Sequence, residues 1–163
     1  MSRDVPWAVI VIHCTVQLTT SVFRSNNLLP ACFAMLGTDF WGKNSLVVNQ
    51  VVIGVIGSVL AEAINNNHLC DDIVPLVMEI ADGTDVPPAA YAVPAAVGAS
   101  SNLILPIHLP MIVANEVIEV PMLQVATIGI LAKAITVASA IVSVNTFGSR
   151  LIPWSVVPST NST

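Results

Sequence analysis

Long apolar runs alternate with short polar interruptions along the chain. Met122–Val144 carries one charged residue, Lys133, and is long enough to cross the hydrocarbon core of a bilayer, which takes about 20 mostly apolar residues. Ser45–Ile64 is a second apolar run, and it ends where three consecutive asparagines begin. Both runs predict helices that span a membrane.

The remaining apolar runs are shorter or interrupted. They are Pro6–Thr20, Leu28–Met35, Leu69–Ala81 and Ala89–Leu105. The first turns polar at His13, is too short for a comfortable span, and is followed by a loop-like segment, SVFRSNN. The last is rich in Ala, Gly and Ser, and such small residues let helices approach closely within a bilayer. Residues 37–45, GTDFWGKNS, predict an aqueous or interfacial loop.

The most polar cluster, EAINNNHLCDD over residues 62–72, lies between two apolar runs. Amide side chains are costly to bury without hydrogen-bond partners. Non-helical backbone at membrane depth is tolerated only where protein or a water-filled cavity surrounds it, and interrupted hydrophobic segments point to a transporter's binding site. We therefore predict that Asn65–Asn67 form a hairpin tip or helix break within the membrane. The alternative is an ordinary loop between two helices, because Asn favours turns.

The composition supports a membrane protein. Hydrophobic residues make up 55% of the chain and charged residues 9%, whereas soluble domains carry about 25% charged residues. We predict a single integral membrane domain over residues 1–163. The five Lys and Arg residues form no basic patch, so nucleic acid is not an expected partner. Because the chain has no nucleophile elbow and no Gly-rich phosphate loop, we do not expect an enzyme.

Three further candidate sites are weaker. The run His68, Cys70, Asp71 and Asp72 has metal-ligand chemistry, but contiguous residues do not easily converge on one ion and no second pair lies at zinc spacing. We predict no metal site and no cofactor. His108 is either a polar residue in a cavity wall or an ionisable functional group, as intramembrane histidines often are. Asn161 begins a glycosylation sequon, Asn-Ser-Thr.

Four short motifs then give a family resemblance. They are Pro6-Trp7 before AVIVI; Glu62 with Asn65-Asn66-Asn67; LPIHLP over residues 105–110; and Asn145-Thr146-Phe147-Gly148. Their order resembles the C-terminal part of sodium-coupled dicarboxylate and citrate transporters, the divalent anion–sodium symporter family. That family has Glu, two residues and Ser-Asn-Thr at the second motif, Leu-Pro-Val-Ala-Thr-Pro-Pro-Asn at the third and Asn-Thr-Trp-Gly at the fourth. The resemblance covers nearly the whole chain.

The resemblance implies a fold and an activity. The implied fold is an all-α membrane protein: the second inverted repeat of a transporter, with a re-entrant hairpin and broken helices. The implied activity is sodium-coupled symport of succinate, citrate or similar carboxylates across the plasma membrane, in a homodimer embedded in lipid. Asn66 matches the motif Asn and Pro110 matches the first motif Pro. With Asn65, Asn67 and Leu109 at neighbouring motif positions, they form the predicted substrate and ion site.

The chain also departs from the family pattern. Asn65 and Asn67 stand where the family has Ser and Thr, Leu109 stands for Thr, and Met111 stands for the second Pro. Each change removes a small, hydroxylated or turn-forming residue. The family's first repeat, with its own sodium site, has no counterpart in these 163 residues, so we expect no transport by this chain alone. A non-transporting membrane protein with a structural or interaction role is the alternative function.

Overall fold

The computed structural model describes residues 7–64, 66–101, 121–148 and 150. Within these ranges the chain is helical and contains no strand, as the all-α prediction requires. The helices are α1 (Trp7–Ser25), α2 (Leu28–Ala34), α3 (Thr38–Lys43), α4 (Leu46–Ala61), α5 (Asn66–Asp82), α6 (Pro88–Ser100) and α7 (Met122–Ser143). The π-helical segment Val144–Gly148 continues α7.

Both long apolar runs form helices as predicted, but among the described residues only α7 with its continuation is long enough to cross a membrane. Helix α7 ends one residue before the predicted Val144, and α4 lies within the predicted Ser45–Ile64. Helix α6 begins at Pro88, in the first helical turn, where the missing N–H of proline costs no hydrogen bond. The predicted inverted repeat and re-entrant hairpin stay predictions.

Two local predictions were wrong. The segment SVFRSNN, residues 21–27, was predicted to be loop-like, but α1 continues into it as far as Ser25. Thr20 Oγ1 donates to the Val16 carbonyl at 2.8 Å, so this hydroxyl is satisfied within the helix. The predicted loop over residues 37–45 contains α3. Gly37 before it has φ of 72°, a conformation that glycine adopts without steric cost.

Helices α4, α5 and α6 pack against one another around the core. The buried apolar side chains include Ile53 and Ala61 of α4, Leu69, Ile73 and Val77 of α5, and Tyr91, Ala95 and Ala99 of α6. The hydroxyl of Tyr91 accepts a hydrogen bond inside this core, so its polar end is satisfied. These side chains of α4, α5 and α6 form the hydrophobic core of the described structure.

Glycines set how closely α4 approaches α6 and α7. A methyl group added at Gly98 would lie 2.6 Å from the Gly54 carbonyl oxygen and 3.2 Å from Ser58 Oγ. A methyl group added at Gly54 would lie 2.7 Å from Cγ1 of Val137. The distances of 2.6 and 2.7 Å are shorter than a Cβ atom tolerates. A larger residue at Gly98 therefore pushes α6 away from the α4 backbone, and one at Gly54 must displace the Val137 side chain. Close helix contacts through small residues are typical of membrane bundles.

We expect Gly98→Ala to lower the free energy of unfolding by about 1–3 kcal/mol, the usual cost of an overpacked core. The atom that opposes the new methyl group is the backbone carbonyl of Gly54, which cannot rotate away as a side chain can. Gly42→Ala is the matched control, because a methyl group there meets nothing within 4 Å. Thermal unfolding in detergent measures both. Equal stability of the two variants would contradict the close crossing.

The outer side of α7 is apolar and exposed. Leu123–Gly148, 26 residues, is long and apolar enough to cross a membrane, and 22% of its most apolar window is buried. The exposed apolar residues of α7 are Leu123, Ile128, Ile130, Leu131, Ile135 and Val142. Helix α4 is apolar but shorter, and it also exposes Val47, Val51, Val55 and Val59. A surface of this kind fits lipid better than water.

Candidate functional site

The asparagine cluster lies at a break between two helices. Helix α4 ends at Ala61, and the N–H groups of Ala63 and Ile64 both donate to the Leu60 carbonyl at 3.0 Å. Helix α5 then begins at Asn66. A break between two helices is therefore present next to the predicted position, but Asn66 and Asn67, which were predicted to form it, lie in the first turn of α5. Its depth in a membrane stays a prediction, and so does the choice between a binding hairpin and an ordinary loop.

The other predicted site residues are not placed. Asn65, Leu109 and Pro110 lie outside the described residues, as do His108 and Asn161. Asn66 and Asn67 belong to the first turn of α5. The predicted carboxylate and sodium site is therefore neither assembled nor contradicted by the described residues.

A buried ion pair lies at the C-terminal end of α4. Lys133 Nζ of α7 donates to Glu62 Oε1 at 2.6 Å and to the Ser58 carbonyl at 2.5 Å. The two charged side chains are 5% and 10% exposed. Buried charges are stable only when they are paired and hydrogen-bonded. The pair therefore joins α7 to the point where α4 ends, three residues before the asparagines.

Sequence reasoning found one half of this pair. Because Glu62 ends an apolar run and matches the Glu of the family motif, its expected role is a structural pairing, and the ion pair is such a pairing. Lys133 was seen only as the one charge in an apolar run. A usable signal was present, because an ionisable residue inside a membrane segment needs a partner or a water-filled cavity.

A second polar contact joins α4 to the π-helical segment. Asn145 Nδ2 donates to Gln50 Oε1 at 2.6 Å and to the Ile141 carbonyl at 2.8 Å. The fully buried Gln50 in turn donates from Nε2 to the Ala90 carbonyl at 3.0 Å. Asn145 begins the Asn-Thr-Phe-Gly motif noted in the sequence. Single π-helical turns are frequent at functional sites, so the contact between Asn145 and Gln50 belongs to the candidate site.

The neighbouring Asn49 is buried as well. Its Nδ2 donates to the Trp41 carbonyl at 2.8 Å and to the Tyr91 hydroxyl at 2.9 Å. Its Oδ1 has no hydrogen-bond partner. Asn49 and Gln50 therefore place polar groups at the opposite end of α4 from Glu62, with the glycines between them.

A cleft of about 440 Å³ lies beside the helix break, between α1, α2 and α5. Its lining includes the apolar side chains of Ile64 and Leu69 and the charged side chains of Arg24 and Asp72. Arg24 donates to Asp72 Oδ1 at 3.0 Å, and its second terminal nitrogen lies 3.4 Å from Nδ1 of His68. The cleft is thus lined by both apolar residues and an ion pair.

The predicted absence of a metal site concerns His68, Cys70, Asp71 and Asp72. In the part of the chain that the structure describes, no group of three or more His, Cys, Asp or Glu residues is arranged to hold a metal ion. His68 and Asp72 both face Arg24, a cation. In the fold, these two side chains therefore interact with a cationic side chain of α1.

The chain is similar to a protein of Caenorhabditis elegans that is named as an uncharacterized transporter. The two are 20% identical over 157 residues, which cover 96% of this chain and 27% of that protein. The chain therefore spans about a quarter of the length of this relative. No family model matches the chain, and no solved structure matches it.

This similarity supports a transporter-like relationship. It agrees with the one helix in the described residues that is able to cross a membrane. The name of this relative specifies neither a transported substrate nor a coupling ion.

Proposed function

We propose that the chain is an integral membrane segment of a transporter that carries di- or tricarboxylates, such as succinate or citrate, together with sodium. One observation carries the proposal: the similarity over 96% of the chain to a protein named as a transporter. The lipid-compatible surface of α7 supports the membrane part. The carboxylate and sodium part rests on the motif resemblance. Location in the plasma membrane and assembly as a homodimer are further parts of the proposal.

The break between α4 and α5 offers chemistry that suits such a substrate. The N-terminus of α5 carries partial positive charge, which favours a carboxylate. Amide side chains such as Asn66 both donate and accept hydrogen bonds. Arg24 in the adjacent cleft is paired with Asp72, but its guanidinium is half-exposed and carries five N–H donors, so it can also donate to a carboxylate. The break therefore has several hydrogen-bond donors for a carboxylate close to it.

A second function has its own support. Glu62–Lys133 and Gln50–Asn145 tie α4 to α7 and its π-helical continuation at two separate points. Such cross-links hold these helices together as one body, and the chain departs from the family motif at Asn65, Asn67 and Leu109. A non-transporting membrane protein with a structural or interaction role is therefore the second candidate.

The membrane proposal predicts that the expressed chain stays in the membrane pellet after alkaline carbonate extraction and dissolves only in detergent. The physical reason is the exposed apolar surface of α7, which loses favourable burial when it leaves lipid. A soluble reporter domain expressed in the same cells is the control. Recovery of the chain as a soluble monomer would refute the membrane proposal.

The carboxylate proposal predicts sodium-dependent binding of succinate or citrate to the detergent-purified chain. Asn66→Ala should weaken binding about tenfold, because an unpaired buried partner costs about 1–3 kcal/mol. Asn67→Thr, which moves toward the family motif, should be tolerated. Asn26→Ala, at an exposed position near the end of α1, is the control. Titration calorimetry with sodium or choline chloride measures all four proteins.

The outcomes separate the candidates. Binding that needs sodium and is weakened by Asn66→Ala supports the carboxylate site. Unchanged binding by Asn66→Ala returns the asparagines to the loop interpretation. Absence of carboxylate binding by the unmodified chain, in sodium as in choline, favours the structural role.

A further inference from the structure

We propose that the end of α4 is a monovalent-cation site, and that the ammonium group of Lys133 occupies it as a tethered cation in place of a free ion. This inference goes beyond the proposed function, because it concerns the state of one buried site and does not depend on carboxylate binding. It rests on the surroundings of Lys133 Nζ.

The first observation is the pair of oxygens that meets the ammonium. The Ser58 carbonyl and Glu62 Oε1 come from the last turn and the C-cap of one helix, and they lie 2.5 and 2.6 Å from Nζ. The Glu62 N–H donates to the Val59 carbonyl at 3.2 Å instead of the Ser58 carbonyl. The tightened last turn therefore leaves the Ser58 carbonyl to a cation.

The second observation is the field at this position. The carbonyl end of a helix carries partial negative charge, which a cation stabilises. Helix α4 has no basic residue in its own last turn. The compensating positive charge comes from α7 instead, from a residue 71 positions away. A free cation at the same point would meet the same helix end and the same carboxylate.

The third observation is an unused oxygen in the same turn. Ser58 Oγ is buried and has no hydrogen-bond partner. Buried hydroxyls are nearly always paired in folded proteins, so an unpaired one calls for an explanation. An ion that is free of the lysine stem can take up more oxygen ligands than an ammonium with three donors. Ser58 thus has a second oxygen without a partner, in the same residue whose carbonyl meets the ammonium.

Removal of the ammonium gives the proposal a sharp test. In Lys133→Met, the Glu62 carboxylate stays buried and loses the ammonium that balances its charge. It can be neutralised by a proton or by a cation from solution. The proposed site predicts the cation, so in the absence of a carboxylate ligand the melting temperature of the variant should depend on sodium, whereas that of the wild-type chain should not.

The experiment uses the full chain in detergent, with thermal unfolding followed in sodium chloride and in choline chloride at equal ionic strength and neutral pH. The wild-type chain should melt at the same temperature in both salts. Lys133→Met should melt about 5 °C higher in saturating sodium than in choline, since a ligand that binds only the folded state stabilises it. The effect should saturate with sodium concentration.

The double variant Lys133→Met/Glu62→Gln is the matched control. It removes the carboxylate together with the ammonium, so its melting temperature should be equal in the two salts. Sodium stabilisation of the single variant and its absence in the double variant would support the site. Stabilisation of Lys133→Met by lower pH and not by sodium would overturn the proposal, because a proton would then neutralise Glu62. Failure of Lys133→Met to fold in either salt would overturn it as well, since sodium is expected to replace the ammonium.

Discussion

Glu62→Gln should lower the free energy of unfolding by about 3–5 kcal/mol, the usual cost of removing one partner of a buried ion pair. The substitution leaves the Lys133 ammonium 5% exposed, with a neutral amide where its carboxylate partner was. The Ser58 carbonyl alone does not compensate a buried charge. The loss should appear equally in sodium and choline, because the uncompensated group is then the cation.

Two variants check this explanation. Glu79→Gln removes a carboxylate from an exposed position on α5 and should change stability by less than about 0.5 kcal/mol. Lys133→Met combined with Glu62→Gln removes both charges and should recover most of the stability, because well-packed neutral residues often replace buried ion pairs without loss. Unfolding in detergent micelles with increasing urea measures each variant. Near wild-type stability of Glu62→Gln alone would show that the pair is not buried as described.

The helices were predictable from the sequence where one physical signal dominates. Met122–Val144 is apolar almost throughout, so its length alone predicted α7 to within a residue of its observed end. Helix α3 was missed for the opposite reason. Gly37 and Gly42 resemble loop residues, while Asp39 and Lys43 form an i, i+4 ion pair at 3.1 Å that supports a helical turn.

The candidate site was predictable only in part. The approximate position of the break was predicted from the three asparagines, because amide side chains are costly to bury among apolar residues. The partners of the buried polar groups did not follow, because Gln50 and Asn145 are 95 residues apart. The hydrophobicity pattern indicates which polar residues need hydrogen-bond partners. It does not indicate which helix supplies these partners, because that depends on how glycines such as Gly98 let the helices cross.

The contact between Gln50 and Asn145 leads to the second large effect. Gln50→Ala should lower the free energy of unfolding by about 3–5 kcal/mol, as a sum of a cavity and lost hydrogen bonds. The side chain is fully buried, so its removal leaves space in the core. The Ala90 carbonyl also loses its bond from Nε2, and Asn145 loses its 2.6 Å bond to Oε1.

A second substitution separates these two causes. Gln50→Leu keeps most of the volume and removes only the polar end, so it should cost about 1–3 kcal/mol. Gln124→Leu, at an exposed position in the first turn of α7, is the control and should be nearly neutral.

Hydrogen exchange locates the effect of the lost bonds. Gln50→Leu should increase amide exchange in the π-helical segment Val144–Gly148, because Asn145 then loses its link to α4. Exchange in α5, which does not contain either partner, should change less. Unchanged exchange in Val144–Gly148 would mean that α7 holds this segment without help from Gln50. The π-helical turn would then be a property of α7 itself, and its link to α4 would have no role in placing the Asn-Thr-Phe-Gly motif.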